Sequence, residues 1–256
     1  DIPIDNCTYM KVVRSPHHHA KIISIDKVQA LSVPGVLAVF TAEDVKGTNI
    51  LKMAGDDQPV LCGGKVRMIG DPVAAVVAIT EKAAIEGMNQ VKVIYEELPS
   101  AITYEEALKD GAPQVHDGKP NVFFEQPIIF GDIEKGFSEA DVVAERDFST
   151  QIIEHGYLEN DSGVAYIHEN GQLVVMSGSQ NIHQHKNTIA AAVGIDPARV
   201  RMIQSVTGGA FGGKLDVSVG GLLGMAAIAL QRPVKLVFTR EETFAVTTKR
   251  HAFYMK

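Results

Sequence analysis

The stretch TGGAFGGKLD, residues 207–216, decides how the rest of this sequence is read. Four glycines, Gly208, Gly209, Gly212 and Gly213, surround one aromatic residue, Phe211. The segment before it, 200–206, is apolar and strand-like, and 217–230 is rich in small and apolar residues, as in a buried helix. A glycine loop between a strand and a helix lets backbone N–H groups approach an anion closely. The same glycines could also serve only a tight turn, because glycine tolerates positive φ. Residues 208–214 satisfy the phosphate-loop pattern G-x-x-x-x-G-K, but Leu215 stands where a hydroxyl should hold magnesium, and Phe211 crowds the loop. The dinucleotide pattern G-x-G-x-x-G fails at Ala210. A phosphate-loop nucleotide enzyme therefore stays open as an alternative. An anionic cofactor walled on one side by the Phe211 ring accounts for more of the pattern.

Working outward, the first hundred residues alternate strand-like and helix-like pieces. Strands are expected over 10–13, 22–25, 36–41, 72–79 and 91–95, with a short helix after Asp26 and a helix over 81–90 capped by Thr80. The pieces 72–79, 81–90 and 91–95 read as a strand–helix–strand unit. Between 104 and 136 the glycines and prolines are scattered through polar sequence, as in a surface connector. Beyond it, strands are expected over 140–149, 163–168, 172–177, 200–206 and 234–238, the second and third joined as a hairpin across Glu169-Asn170-Gly171. Helices are expected over 183–193 and 217–230.

The 256 residues carry a formal charge of −7 without a dense Lys/Arg stripe, which argues against nucleic acid as the main partner. Two cysteines, Cys7 and Cys62, are too few for a disulfide framework and suit a reducing, cytoplasmic compartment. The longest apolar run, 222–230, is too short to span a bilayer, so no membrane association is expected.

The loop G-G-x-F-G-G-K, here Gly208 to Lys214, resembles that of the xanthine dehydrogenase and aldehyde oxidase family of molybdenum hydroxylases. Other segments agree in chain order: KVVRSPHHHA (11–20), IGDPVAA (69–75), VIYEELP (93–99), EHGYLE (154–159) and SQN (179–181). The resemblance covers nearly the whole chain. It implies an α+β fold with an N-terminal α/β hammerhead-like domain over 1–105, a connector over 106–136, and the first part of the molybdopterin-binding domain over 137–256.

The same resemblance implies oxidative hydroxylation of a small N-heterocycle or aldehyde with water as oxygen source. Gln180, Gly209, Ala210, Phe211, Gly212 and Gly213 become the cofactor-binding residues. In the molybdenum environment Gln180 turns its side-chain amide to an oxygen of the metal and Phe211 offers its backbone N–H. Leu215 falls in the substrate pocket, where purine-oxidising relatives carry a glutamate. Leucine can neither donate nor accept, so a different ring or a carbonyl is expected. The run 212–219 resembles the nicotinate dehydrogenase branch of the family. The implied cofactor is molybdenum–molybdopterin in its cytosine dinucleotide form. Iron–sulfur clusters and FAD are expected on an iron–sulfur subunit and a FAD subunit, because two cysteines cannot ligate a pair of clusters. The general-base glutamate is expected beyond Lys256, in the remainder of the molybdopterin subunit, so no catalytic residue is assigned within this chain. A non-catalytic assembly subunit is the other alternative.

Several tempting groups are set aside. His17, His18 and His19 sit in a turn and do not share one helical face. His183 and His185 are two residues apart on a helix and point away from each other. Glu154, His155 and Glu159 rank as pocket-wall candidates only, and Glu241-Glu242 reads as a helix N-terminus.

Overall fold

The computed structural model describes residues 3–52, 55 and 57–256. In chain order the first elements are β1 (Thr8–Arg14), β2 (Ala20–Asp26), α1 (Val28–Leu31), β3 (Val36–Phe40), β4 (Lys65–Val66), β5 (Pro72–Ala78), α2 (Glu81–Gln90) and β6 (Lys92–Glu97). There follow α3 (Tyr104–Ala107), α4 (Ile133–Glu139), β7 (Phe148–Ser149), β8 (Ser162–Ile167), β9 (Leu173–Ser177) and α5 (Ile182–Val193). The last are β10 (Val200–Gln204), α6 (Gly220–Leu230), β11 (Val234–Val237), α7 (Arg240–Val246) and β12 (Tyr254–Met255).

Contacts divide the chain into two units. The larger combines the residues up to Leu98 with His155–Thr248. Its main sheet has seven strands in the order β10-β9-β8-β11-β1-β5-β3, and a smaller sheet is ordered β4-β2-β6. β1 lies parallel to β11, with Thr8 opposite Val234 and Met10 opposite Leu236. A strand from the first fifteen residues thus completes a sheet built mostly from residues beyond 160. β5, PVAAVVA, is buried along almost its whole length between β1 and β3, which is why it reads as a continuous apolar run rather than an alternation.

Helix α6 explains itself by composition. Residues 220–227 are all buried, with Leu223 fully so, and the helix packs on β8, β9, β11 and α5. The core beneath it joins Met10, Leu173, Ile189, Leu223, Leu236 and Phe238. The stretch Gly213–Leu230 is apolar enough to cross a membrane by length and composition, but 67% of it is buried. It consists of a 3₁₀ turn, Gly213–Leu215, followed by the separate eleven-residue α6.

Three expectations need correction. The piece 140–149 forms strand only at Phe148–Ser149, and a short helix, α4, precedes it, capped by Asp132. The strands flanking α2 do not pair: β5 belongs to the seven-stranded sheet and β6 to the three-stranded one. Helix α6 starts at Gly220 rather than at 217, because the chain first turns through Gly213–Leu215. The hairpin β8–β9, helix α2 and the capped helix α7 fall where the sequence places them.

The second unit comprises Pro99–Glu154 and Lys249–Lys256. It holds α3, α4 and the two-stranded ladder β7–β12. None of its described side chains is buried, and Ile128, Ile129 and Phe130 are almost entirely exposed.

Candidate cofactor site

Four loops gather at one end of the larger sheet: 155–161 before β8, 178–181 after β9, 205–219 after β10 and 238–239 after β11. Strand ends of this kind are where α/β sheets commonly bind ligands. The glycine loop lies at the centre of the group. Tyr157, with no exposed surface, is the pillar under it. Its hydroxyl donates to Asp161 Oδ2 at 2.6 Å, and Ser218 Oγ donates to Asp161 Oδ1 at 2.7 Å. A Cβ on Gly213 would lie 2.7 Å from the Tyr157 ring, and one on Gly209 would lie 3.0 Å from Tyr157 Cβ. Glycine at these two positions is the price of bringing the backbone down onto the ring.

The loop is fixed from three further directions. Lys214, 3% exposed, sends its ammonium 2.7 Å to Glu159 Oε2 and lies 4.8 Å from the centroid of the Tyr157 ring. The same carboxylate oxygen accepts from Gly208 N–H at 2.7 Å. Burial alone would raise the Glu159 pKa, but the hydrogen bonds from Lys214 and Gly208, with the ammonium charge, outweigh it and hold the carboxyl below its ordinary range. Arg240, at the start of α7, clamps the segment carrying Glu159 by donating to the Tyr157 and Leu158 carbonyls, each at 2.7 Å. Helix α7 begins with a capping box between Thr239 and Glu242, and Glu242 also holds Arg14 of β1 at 2.8 Å.

Gln180 provides the second direction. Its Oε1 accepts from Gly212 N–H at 3.1 Å and Lys214 N–H at 3.2 Å, and its own N–H donates to the Lys214 carbonyl at 3.0 Å. The oxygen is therefore used, and the Nε2 donors of an exposed side chain remain to face a ligand. The third direction is His185 of α5, whose Nε2 stands 2.7 Å from the Leu215 carbonyl. Burial pushes the His185 pKa down, and burial beside Asp161 pushes that of Asp216 up.

The loop's conformation is strained at one informative place. Gly213 N–H donates to the Ala210 carbonyl at 2.8 Å, closing a turn whose central residues, Phe211 and Gly212, both have positive φ (52° and 97°). A bulky residue rarely sits there, and the left-handed region costs it about 1–2 kcal/mol. Phe211 is nonetheless 74% exposed, so its ring contributes little to the core in return. Among the described residues, no protein acceptor meets the N–H groups of Gly209, Ala210 and Phe211. Three successive free amides, with the Gln180 amide beside them, make a donor set suited to an oxygen-rich anionic group.

The sequence-expected residues Gln180, Gly209, Ala210, Phe211, Gly212, Gly213 and Leu215 thus meet in one place. Ala210 is buried and supplies backbone alone. The phosphate-loop alternative fails here, since Lys214 is buried and paired with Glu159 and cannot reach a phosphate. Glu159 is no simple pocket wall, and Glu154 belongs to the other unit, 2.6 Å from Lys249. No cluster of three metal-ligating side chains occurs among the described residues. Sequence reasoning missed Tyr157, Asp161, Ser218 and Arg240 as supports. The signal for the Glu159–Lys214 pair was present: a lysine between glycines and an apolar helix requires a counter-charge.

The free donors at this end of the sheet suit an oxygen-rich anionic group, and the chain as a whole matches known domains. The molybdopterin cofactor-binding domain matches residues 115–256, and the a/b hammerhead domain of aldehyde oxidase and xanthine dehydrogenase matches 1–99. The chain belongs to the aldehyde oxidase and xanthine dehydrogenase family. It is 35% identical to the nicotinate dehydrogenase large molybdopterin subunit of Eubacterium barkeri, over 100% of this chain and 60% of that one. It is 36% identical to the aldehyde oxidoreductase of Megalodesulfovibrio gigas, over 96% of this chain and 28% of that one. The solved aldehyde oxidoreductase from Desulfovibrio gigas superposes with a TM-score of 0.93 at 35% identity, covering 98% of this chain and 29% of that one. The chain therefore spans less than two thirds of the relatives it matches.

Two outcomes follow from the geometry. Phe211→Gly should stabilise the larger unit by about 1 kcal/mol through relief of the left-handed strain, read as a raised denaturation midpoint; an equal loss would show that the ring packs. The ion pair of depressed Glu159 contributes stability that is complete above the ordinary glutamate pKa of about 4.3 and is lost as pH falls through the lower folded value. The acid limb of the stability profile should accordingly flatten in Glu159→Gln, and an unaltered limb would contradict the pair's role.

Proposed function

We propose that this chain is part of the molybdenum-cofactor subunit of an oxidoreductase that hydroxylates a small N-heterocycle or aldehyde, with water as oxygen source. The observation that carries the reading is the set of free donors, Gln180 Nε2 and the amides of Gly209, Ala210 and Phe211, held by a loop that spends strain on exposing Phe211. The donor set fits a molybdopterin, here in its cytosine dinucleotide form. When bound, that group supplies a two-electron oxidant and a centre that activates water.

The chain's own residues bind and orient. Gln180 presents neutral N–H donors to the oxygen-rich face of the cofactor, and the Phe211 ring walls the site. The exposed side chain of Leu215 faces the substrate and, lacking polar atoms, favours an apolar ring face or an aldehyde over a purine. Glu159 and Asp161 are committed to Lys214, Gly208, Tyr157 and Ser218, and the family resemblance assigns proton removal to a glutamate in the remainder of the molybdopterin subunit.

The domain division at 1–105, 106–136 and 137–256 is part of the same reading. So are its partners, the remainder of the molybdopterin subunit, an iron–sulfur subunit and a FAD subunit, and its cytoplasmic place. The coreless second unit, with Ile128, Ile129 and Phe130 bare, supports a covering partner.

In the native complex, Gln180→Glu keeps the oxygen that the loop amides need and removes the donors. Turnover should fall about 100-fold, with molybdenum and pterin content unchanged. Wild-type turnover in this variant would refute the donor role.

A further inference from the structure

His185 does more than fill the core. Its ring, 2% exposed, lies one turn into α5, and its Nε2 stands 2.7 Å from the Leu215 carbonyl. A carbonyl only accepts, so Nε2 carries the proton, and burial keeps the ring neutral. The peptide unit before Leu215 is held by the Gln180 N–H, which donates to the Lys214 carbonyl at 3.0 Å, while the Leu215 N–H makes only a long bond, 3.4 Å, to the Gly212 carbonyl. From Gly209 to Leu215 the exposed side chains are Phe211 and Leu215. The carbonyl is drawn inward by His185, while the side chain points outward and is 44% exposed. With the peptide unit before Leu215 held through the Lys214 carbonyl and the unit after it held by His185, the Cα–Cβ bond between them has a set direction, and the histidine is one of its two anchors.

We propose that His185 is a positioning residue for substrate selection: by pinning the Leu215 carbonyl it fixes the apolar side chain that the substrate meets. The inference rests on the reading, given under Proposed function, that Leu215 faces the substrate. It assigns His185 no contact with substrate or cofactor.

The test uses the native complex with His185→Phe, which keeps an aromatic ring without the donor, and His185→Gln, which restores an N–H. Hydrogen exchange of the amides over 212–216 is one readout. The other is the ratio of kcat/KM values for smaller and larger probes, nicotinate against quinoline and acetaldehyde against benzaldehyde. In His185→Phe, exchange should quicken about tenfold, since the segment loses a local tether. The probe ratios should shift at least threefold, mainly through KM, with molybdenum content unchanged, and His185→Gln should restore both. Leu215→Ala should shift the ratios without quickening exchange. Unchanged exchange in His185→Phe overturns the pin. Quickened exchange with unchanged ratios overturns the selective role, as does a failure of His185→Gln to recover either readout. A wild-type complex without molybdenum instead defeats the underlying functional reading, while the exchange arm still decides whether His185 tethers Leu215.

Discussion

The ion pair between Lys214 and Glu159 is the contact on which the site depends. Lys214 comes from the glycine loop and Glu159 from the segment before β8, so the pair ties together two pieces of chain that are 55 residues apart. Breaking a buried pair by removing one partner costs about 3–5 kcal/mol, and the low end suits Glu159, which is partly exposed. That exceeds the 1–2 kcal/mol or so of strain at Phe211. The clamp is therefore large enough to hold the loop in a conformation that the loop's own sequence resists. The Gly208 amide shares the Glu159 carboxylate, and the Tyr157 ring lies beneath the Lys214 ammonium.

Around that pair each support carries a different part of the geometry. Tyr157 sets the depth of the backbone, which is why Gly209 and Gly213 cannot bear a side chain. Gln180 sets the turn, because its oxygen collects two amides and so turns its own donors outward. Arg240 holds the segment of Glu159 from the far side, tying the loop to α7 and, through Glu242 and Arg14, to the interior strand β1. The structure thus commits Glu159 and Asp161 to scaffolding and leaves neutral N–H donors free. A site so arranged can bind and orient an anionic group.

Much of this was legible in the sequence because the informative residues are chemically extreme. Glycine beside an aromatic in a strand-to-helix setting marks a close approach of backbone to something, and Leu215 after the lysine argued against nucleotide. The continuous apolar run of β5, the Thr80 cap and the Glu241-Glu242 pair announced their elements through local chemistry. What stayed hidden depended on partners distant in sequence. Nothing local says that β1 lies beside β11, or that β5 and β6 enter different sheets. Residues 140–149 have strand-like composition, yet most of that piece finds no strand to pair with in the described chain. His185 looked like ordinary packing because its partner is a main-chain oxygen, which has no sequence signature.

The most direct measurement is the metal and pterin content of the native assembly that contains this chain. The account requires molybdenum and an organic pterin in about one-to-one ratio with the chain, both diminished when Lys214→Met breaks the pair with Glu159. An intact assembly with neither molybdenum nor pterin would contradict it.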